Sequence, residues 1–237
     1  IEQGRYDIIQ ERFWPRIFLE RGNSMYRFVL FDLDGTLTDS REGIFNSVRY
    51  SLDKLGRPCP PYETLLRFVG PPLHDSFERY CGMDAQESHR AVNVFRERYE
   101  TIGWAENKAA PGMVELMRCL KEQGRTLAVA SSKPERSVVP IVEKFGFQPY
   151  LDAACGSDGK SEAKTDVIRK AFARLGIDGE RQKQTVMVGD RKYDVEGAEE
   201  CGIPCIGVTF FDFAPPGELE ASSAVAVCAT AEELKAV

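Results

Sequence analysis

Past residue 107 the chain alternates short apolar runs with amphipathic stretches, a pattern that few folds accommodate. Residues 126–130 form an apolar run of the buried-strand kind. Pro134 suits the first turn of a helix running to about Phe145, before Gly146. Residues 151–154 read as a strand, 162–175 as a helix closed by Gly176, 185–188 as a strand, and 193–201 as a helix closed by Gly202. Strands over 205–208 and 224–227 follow, with a short helix from Ala231. Strand–helix alternation of this kind predicts an α/β fold: a doubly wound parallel sheet with helices on both faces. Ligands in such sheets bind at the carboxyl ends of the strands. Asp32, Ser131 and Asp190 each fall at an expected strand end.

Residues 41–106 break the alternation. They read as helices alone, over 42–55, 62–68, 73–80 and 85–101. The stretch is too long for a loop in a compact domain. It is expected to be an all-helical cap domain inserted into a core made of residues 25–40 and 107–237. Pro111-Gly112 opens the next core helix. Residues 1–24 look unlike the rest, with neither a small-residue cleavage site nor a long apolar stretch, so they do not read as a signal peptide. Met25 directly precedes the first strand, and residues 1–24 are expected to be an N-terminal extension foreign to the native protein.

The apolar run Phe28-Val29-Leu30-Phe31 ends in Asp32-Leu33-Asp34-Gly35-Thr36. Carboxylates at i and i+2 leave a strand on the same side. They repel unless a cation or a shared proton neutralises them, and oxygen ligands favour a hard cation, Mg2+. Such a strand end suits phosphoryl transfer through an aspartyl-phosphate. The plain alternative is an Asp-Gly turn. A calcium loop needs further spaced oxygen ligands, which Thr36, Thr38 and Ser40 do not supply.

Gly189-Asp190 lies at another expected strand end, with Asp194 one helical turn later on the same face. Both carboxylates can reach a metal, or Asp194 can serve as an ordinary helix cap. Ser131 and Ser132, beside free backbone N–H groups, make either a phosphate cradle or a common N-cap. Lys164 opens a helix against its dipole, which an anionic partner explains; the alternative is a solvated surface lysine. Lys133 and Lys160 compete for that role. His74 and His89 are far apart in sequence and read as surface or structural residues.

A net charge of -6 without a Lys/Arg-rich block argues against a nucleic-acid partner. No apolar run approaches the roughly 18 residues of a membrane helix. Seven cysteines, scattered and without a CxxC pair, read as free buried thiols in a reducing cytosol, so a cytoplasmic location is expected.

Taken in order, Asp32-x-Asp34-Gly35-Thr36, Ser131, Lys164 and Gly189-Asp190-x-x-x-Asp194 resemble the haloacid dehalogenase superfamily. Val69-Gly70-Pro71-Pro72-Leu73, Glu106-Asn107-Lys108 and the continuation Arg191-Lys192-Tyr193 are similar to its phosphoglycolate phosphatase and 5'-nucleotidase branch. The resemblance implies a Rossmann-like core under a helical cap. It also implies a Mg2+-dependent phosphatase for a small phosphorylated metabolite, as a monomer or small homo-oligomer. It implies that Asp32 attacks phosphorus and that Asp34 protonates the leaving alcohol, then activates water. Ser131, with Ser132, and Lys164 would hold the phosphoryl oxygens. Asp32, the main-chain carbonyl of Asp34 and Asp190 would hold Mg2+, with Asp194 completing or supporting the shell. Two departures stand out. Relatives often carry Arg three residues before the motif lysine, where this chain has Ser161 beside Lys160. The stretch Thr209-Phe210-Phe211-Asp212-Phe213 lacks the branch's Gly-rich pattern. A sugar-phosphate mutase of the same fold is the alternative enzyme, although no cap-linker His occurs over 41–45; a non-catalytic phosphometabolite-binding protein is the other alternative.

Overall fold

The computed structural model describes residues 26–158 and 163–237. The expected N-terminal extension, Lys160 and Ser161 lie outside the described residues. Phe28–Phe31 (β1), Thr126–Pro134 (β2), Ala153–Ser157 (β3), Thr185–Gly189 (β4), Cys205–Val208 (β5) and Ala226–Cys228 (β6) form one sheet. Its order is β3-β2-β1-β4-β5-β6, and every pairing is parallel. The longer helices among the described residues are Arg41–Lys54 (α1), Leu73–Cys81 (α2), Ala85–Tyr99 (α3), Met113–Glu122 (α4), Glu135–Lys144 (α5), Lys164–Leu175 (α6), Lys192–Glu200 (α7) and Ala231–Ala236 (α8), with shorter helical segments between them.

Side-chain parity builds two cores. Val29, Phe31, Leu127, Val129, Val186 and Val188 meet Met113 and Met117 of α4, Val138 and Ile141 of α5, and Leu234 of α8. Leu30, Ala128, Ala130 and Met187 meet Val167 and Ile168 of α6, and Val195 and Ala198 of α7. Because both faces are buried, the strands carry apolar residues at nearly every position instead of alternating. Each fully buried Leu or Val stabilises the fold by about 1.5–3 kcal/mol. The strand order reverses direction between β1 and β4, and a crevice opens there at the strands' carboxyl ends.

The expected boundaries shift where local contacts intervene. β2 runs on to Pro134, so Ser131 sits in a strand and the helix begins at Glu135, with Pro134 as its N-cap residue. The register slips between Ser131 and Pro134. Gly156 on β3 permits this, since a Cβ there would lie 2.6 Å from both Lys133 O and Glu135 N. β3 starts at Ala153 rather than at 151, because the Asp152 carboxylate accepts a hydrogen bond from Leu127 N at 2.8 Å.

Between residues 41 and 106 the chain is helical, as expected. It packs around Phe45, Leu52, Phe68, Phe77, Phe95 and Tyr99. It leaves and rejoins the sheet through a ribbon in which Thr38–Asp39 pairs antiparallel with Lys108–Ala109. Asp84 starts α3 by accepting from Glu87 N at 2.8 Å, while the Glu87 side chain accepts from Asp84 N at 3.4 Å. The loop after β5 sends Phe213 into this cluster. Arg41 lies 5.3 Å over the Phe213 ring and Phe211 stacks on it at 5.8 Å. The loop over 209–213, which lacks the Gly-rich pattern of the branch the sequence resembles, is therefore an aromatic anchor.

All seven cysteines are free, but only Cys155, Cys201, Cys205 and Cys228 are buried. His74 and His89, distant in sequence, lie with ring centres 4.2 Å apart; α2 and α3 bring them together. Among the described residues no helix is long and apolar enough to cross a membrane.

Candidate active site

Asp32 continues β1, its N–H donating to Val188 O at 2.9 Å. Parity with Leu30 turns its side chain toward the α6 and α7 side of the sheet. There the Lys164 ammonium stands 2.6 Å from Asp32 Oδ1 and 2.7 Å from Asp194 Oδ1, and donates to Ala130 O at 3.1 Å. Lys164 opens α6 but is only 8% exposed, so it is no solvated surface residue. The turn after Asp32 is closed by Gly35 N donating to Thr38 O at 2.8 Å and Thr38 N donating to Leu33 O at 2.9 Å.

Two glycines let the acids converge. Gly35 has a φ of +86°, and a Cβ on it would lie 2.1 Å from Asp190 Oδ2. A Cβ on Gly189 would lie 2.3 Å from Asp194 Cγ. Without those side chains, Asp32, Asp190 and Asp194 each offer an oxygen within 4.8 Å of the others, and all three residues are buried. Thr36 donates to Asp190 Oδ1 at 3.4 Å, and Arg191 N donates to Asp194 Oδ2 at 3.0 Å. Among the described residues Asp190 Oδ2 is buried with no hydrogen-bond partner.

Burial, and then the charges of Asp194 and Asp32, push the Asp190 carboxyl well above its ordinary range. Burial raises Asp194 as well, against the pull of Lys164. Burial draws the Lys164 ammonium down, yet Asp194 and Asp32 outweigh it and hold it above an ordinary lysine. Among the described residues three carboxylates face one ammonium, an excess of negative charge that a divalent cation would neutralise. The all-oxygen donor set and the unpartnered Asp190 Oδ2 fit Mg2+.

The Asp34 side chain is not part of that trio. Its Oδ2 lies 3.0 Å from the Lys133 ammonium. Lys133 in turn donates to the Tyr99 hydroxyl at 2.5 Å. Burial draws Lys133 down, but Asp34 and Tyr99 hold it above an ordinary lysine. The two carboxylates of the first motif, expected on the same side of the strand, thus do not share one cation-binding point through their side chains: each pairs with its own lysine. Ser131 is buried, and its Oγ accepts from Lys133 N at 3.3 Å.

A cavity of about 560 Å³ joins these groups. Asp32, Asp34, Ser131, Ser132, Lys164 and Asp194 line one side, and Phe68, Pro71, Leu73, Phe95 and Tyr99 the other. Sequence reasoning did not single out Tyr99 or Glu218. Tyr99 shares an apolar helix face with Phe95 and Val92 and reads as plain core. Glu218 holds the Arg191 guanidinium at 2.8 Å, which itself donates to Val69 O at 3.0 Å across the cavity rim. Neither residue carries a motif that marks it.

The family model described as haloacid dehalogenase-like hydrolase matches residues 29–208. The chain is 39% identical over 214 residues to the 5'-nucleotidase of Pseudomonas aeruginosa, covering 90% of this chain and 95% of that protein. It is 39% identical over 184 residues to tyrosine-protein kinase PtkA of Mycobacterium tuberculosis, covering 77% of this chain and 62% of that one. A solved structure of a predicted phosphatase from Clostridium acetobutylicum superposes with a TM-score of 0.82 at 42% identity, covering 90% of this chain and 97% of its own. Proteins named phosphoglycolate phosphatase also match, at 29% to 31% identity.

Proposed function

This chain belongs to the haloacid dehalogenase-like hydrolases, and on that premise we propose that it is a Mg2+-dependent phosphatase working through an aspartyl-phosphate. The substrate is a small phosphorylated metabolite, of the phosphoglycolate or nucleoside 5'-monophosphate kind named in its relatives. The observation that carries the reading is the buried trio Asp32, Asp190 and Asp194, with Lys164 against it at the crevice between β1 and β4.

Asp32 is the nucleophile. Its carboxylate oxygen forms a bond to phosphorus as the bond from phosphorus to the leaving oxygen breaks. Asp34 gives its proton to that oxygen, then takes one from the attacking water. The water oxygen bonds to phosphorus, the Asp32–phosphorus bond breaks, and inorganic phosphate leaves. Ser131, Ser132 and Lys164 hold the phosphoryl oxygens. Asp32, Asp190, Asp194 and the main-chain carbonyl of Asp34 would hold Mg2+, which when bound neutralises charge on the carboxylates and the transferring group. The helices between 41 and 106 serve as a cap that closes the cavity to bulk water. The protein acts in the cytoplasm, without nucleic acid or membrane as partner.

Phosphate release from a panel of phosphorylated metabolites, with and without Mg2+ and ranked by kcat/KM, tests the reading. Mg2+-dependent release from at least one member is expected. No release from any member, or release indifferent to a chelator, rejects it.

A further inference from the structure

Two lysines divide the two carboxylates of the first motif, and they come with different company. Lys164 meets Asp32 together with Asp194 and Ala130 O, all in the core. Lys133 meets Asp34 together with Tyr99, which belongs to the cap. The Lys133 side chain is 9% exposed. Its ammonium lies 3.0 Å from Asp34 Oδ2, 2.5 Å from the Tyr99 hydroxyl oxygen and 4.3 Å from the centre of the Tyr99 ring. Tyr99 ends α3, is buried, and stacks on Phe95 with ring centres 5.3 Å apart. Lys133 reaches this place because β2 runs past Ser131 with a slipped register, opposite Gly156.

The two oxygens of Asp34 are thereby made unequal. Oδ2 is held by Lys133, while Oδ1 is buried without a hydrogen-bond partner among the described residues. A carboxyl that serves as acid and base must present one oxygen to the leaving group at hydrogen-bond distance. We infer that Lys133 is a positioning residue: it fixes the orientation of the Asp34 carboxyl toward the leaving group, and Tyr99 makes that orientation depend on the cap being seated. The inference rests on the phosphatase reading above. On this view the cap acts on the chemical step as well as enclosing the substrate.

Leaving-group dependence separates a positioned acid from a phosphate holder. p-Nitrophenolate departs without a proton, whereas the alkoxide of an alkyl phosphate does not. The parameter kcat/KM covers the steps up to that departure. The experiment measures kcat/KM for p-nitrophenyl phosphate and for n-butyl phosphate with wild type, Lys133→Met, Lys133→Arg and Tyr99→Phe, all with Mg2+. Lys133→Met is expected to lower the alkyl value at least about tenfold more than the aryl value, since a placed acid contributes on the order of 10²–10⁴-fold. Lys133→Arg is expected to recover part of that bias. Tyr99→Phe, which keeps the ring and removes only the acceptor, is expected to show the same bias at about threefold. An equal loss on both substrates, as for a lysine that holds phosphate, overturns the inference, as does no loss on either. If Lys133→Met does not fold, Tyr99→Phe decides by the same ratio. Wild type inactive on both esters counts instead against the phosphatase reading.

Discussion

The sheet and the helical segment between residues 41 and 106 solve the same problem, lining one cavity, by different means. On the sheet side, Asp32 and Asp190 stand just past strand ends, the direction of Asp32 following from its parity with Leu30, while Lys164 and Asp194 come from the first turns of α6 and α7. Oppositely charged side chains then hold one another at 2.6–3.0 Å. In the helical segment the cavity wall is the inner edge of an aromatic cluster, with Phe68, Phe95 and Tyr99 serving at once as core and as lining. Chemistry that depends on strand ends is fixed by the fold, whereas a wall made of a helix's own core can be remodelled only by repacking that helix.

The largest expected effect attacks the sheet side alone. Asp32→Asn keeps the shape of the side chain and removes the proposed nucleophile. Phosphate release is expected to fall by at least about 10³-fold, while the melting temperature stays close to wild type. Activity within tenfold of wild type would place the chemistry elsewhere.

The second test concerns charge on the same side. Asp190 is pushed up by burial and by Asp194 and Asp32, so its ionised form is disfavoured without a cation. Asp190→Asn is expected to melt above wild type in chelator and below it in saturating Mg2+. The wild-type gain in Mg2+ is expected to reach about 2.7 kcal/mol at a hundredfold excess over Kd. Parallel melting curves, with no crossing between chelator and Mg2+, would remove Asp190 from the cation site. The readout is stability, so it does not depend on knowing the substrate.

The third test joins the two regions. Phe213 leaves the β5 loop and buries its ring in the helical cluster under Arg41. Phe213→Ala is expected to destabilise the protein by about 3 kcal/mol and to raise KM more than it lowers kcat. Calorimetry would then show whether the helical segment and the sheet still unfold together. A loss under about 1 kcal/mol would mean that the anchor contributes little.

The same contrast explains how much could be read beforehand. Asp32, Asp190 and Asp194 are legible because each sits at a fixed offset from an apolar run or a glycine, and strand and helix periods carry that offset into space, whereas Ser131 and Lys164 stand out only through the order of motifs that resembles the family. Tyr99 is not legible, because at its place in α3 an aromatic is indistinguishable from core until Lys133 is known to lie beneath it. The pairing of Asp34 with Lys133 was missed for a related reason. It requires β2 to continue past Ser131, and the slip that allows this depends on Gly156, a residue of a different strand. His74 and His89 meet only through the packing of α2 on α3. Local pattern fixed what the sheet presents; contacts between elements decided the rest.

The smallest expected effect probes the end of β2 from outside the cavity. Glu135 opens α5 directly after that strand, and its carboxylate lies 2.7 Å from both the Lys170 ammonium and the Arg174 guanidinium on α6 and accepts from Gly156 N at 3.3 Å. Burial raises its pKa, but these partners outweigh burial and bring it down to about 2. A depressed carboxyl stabilises the fold at pH above its unfolded value of 4.5, and loses that contribution as pH falls from there toward about 2. The group is partly exposed and screened, so Glu135→Gln is expected to cost about 0.5–1 kcal/mol at pH 7. Urea melts of the two proteins should converge between pH 4.5 and about 2, and added salt should narrow the gap at pH 7. A gap that widened toward acid would reverse the sign and refute the pairing. The informative comparison is with activity. If Glu135 merely ties α5 to α6, kcat/KM stays at the wild-type value. If kcat/KM falls further than stability does, the entry to α5 is what holds the slipped end of β2, and with it Ser131 and Lys133, in register with the site.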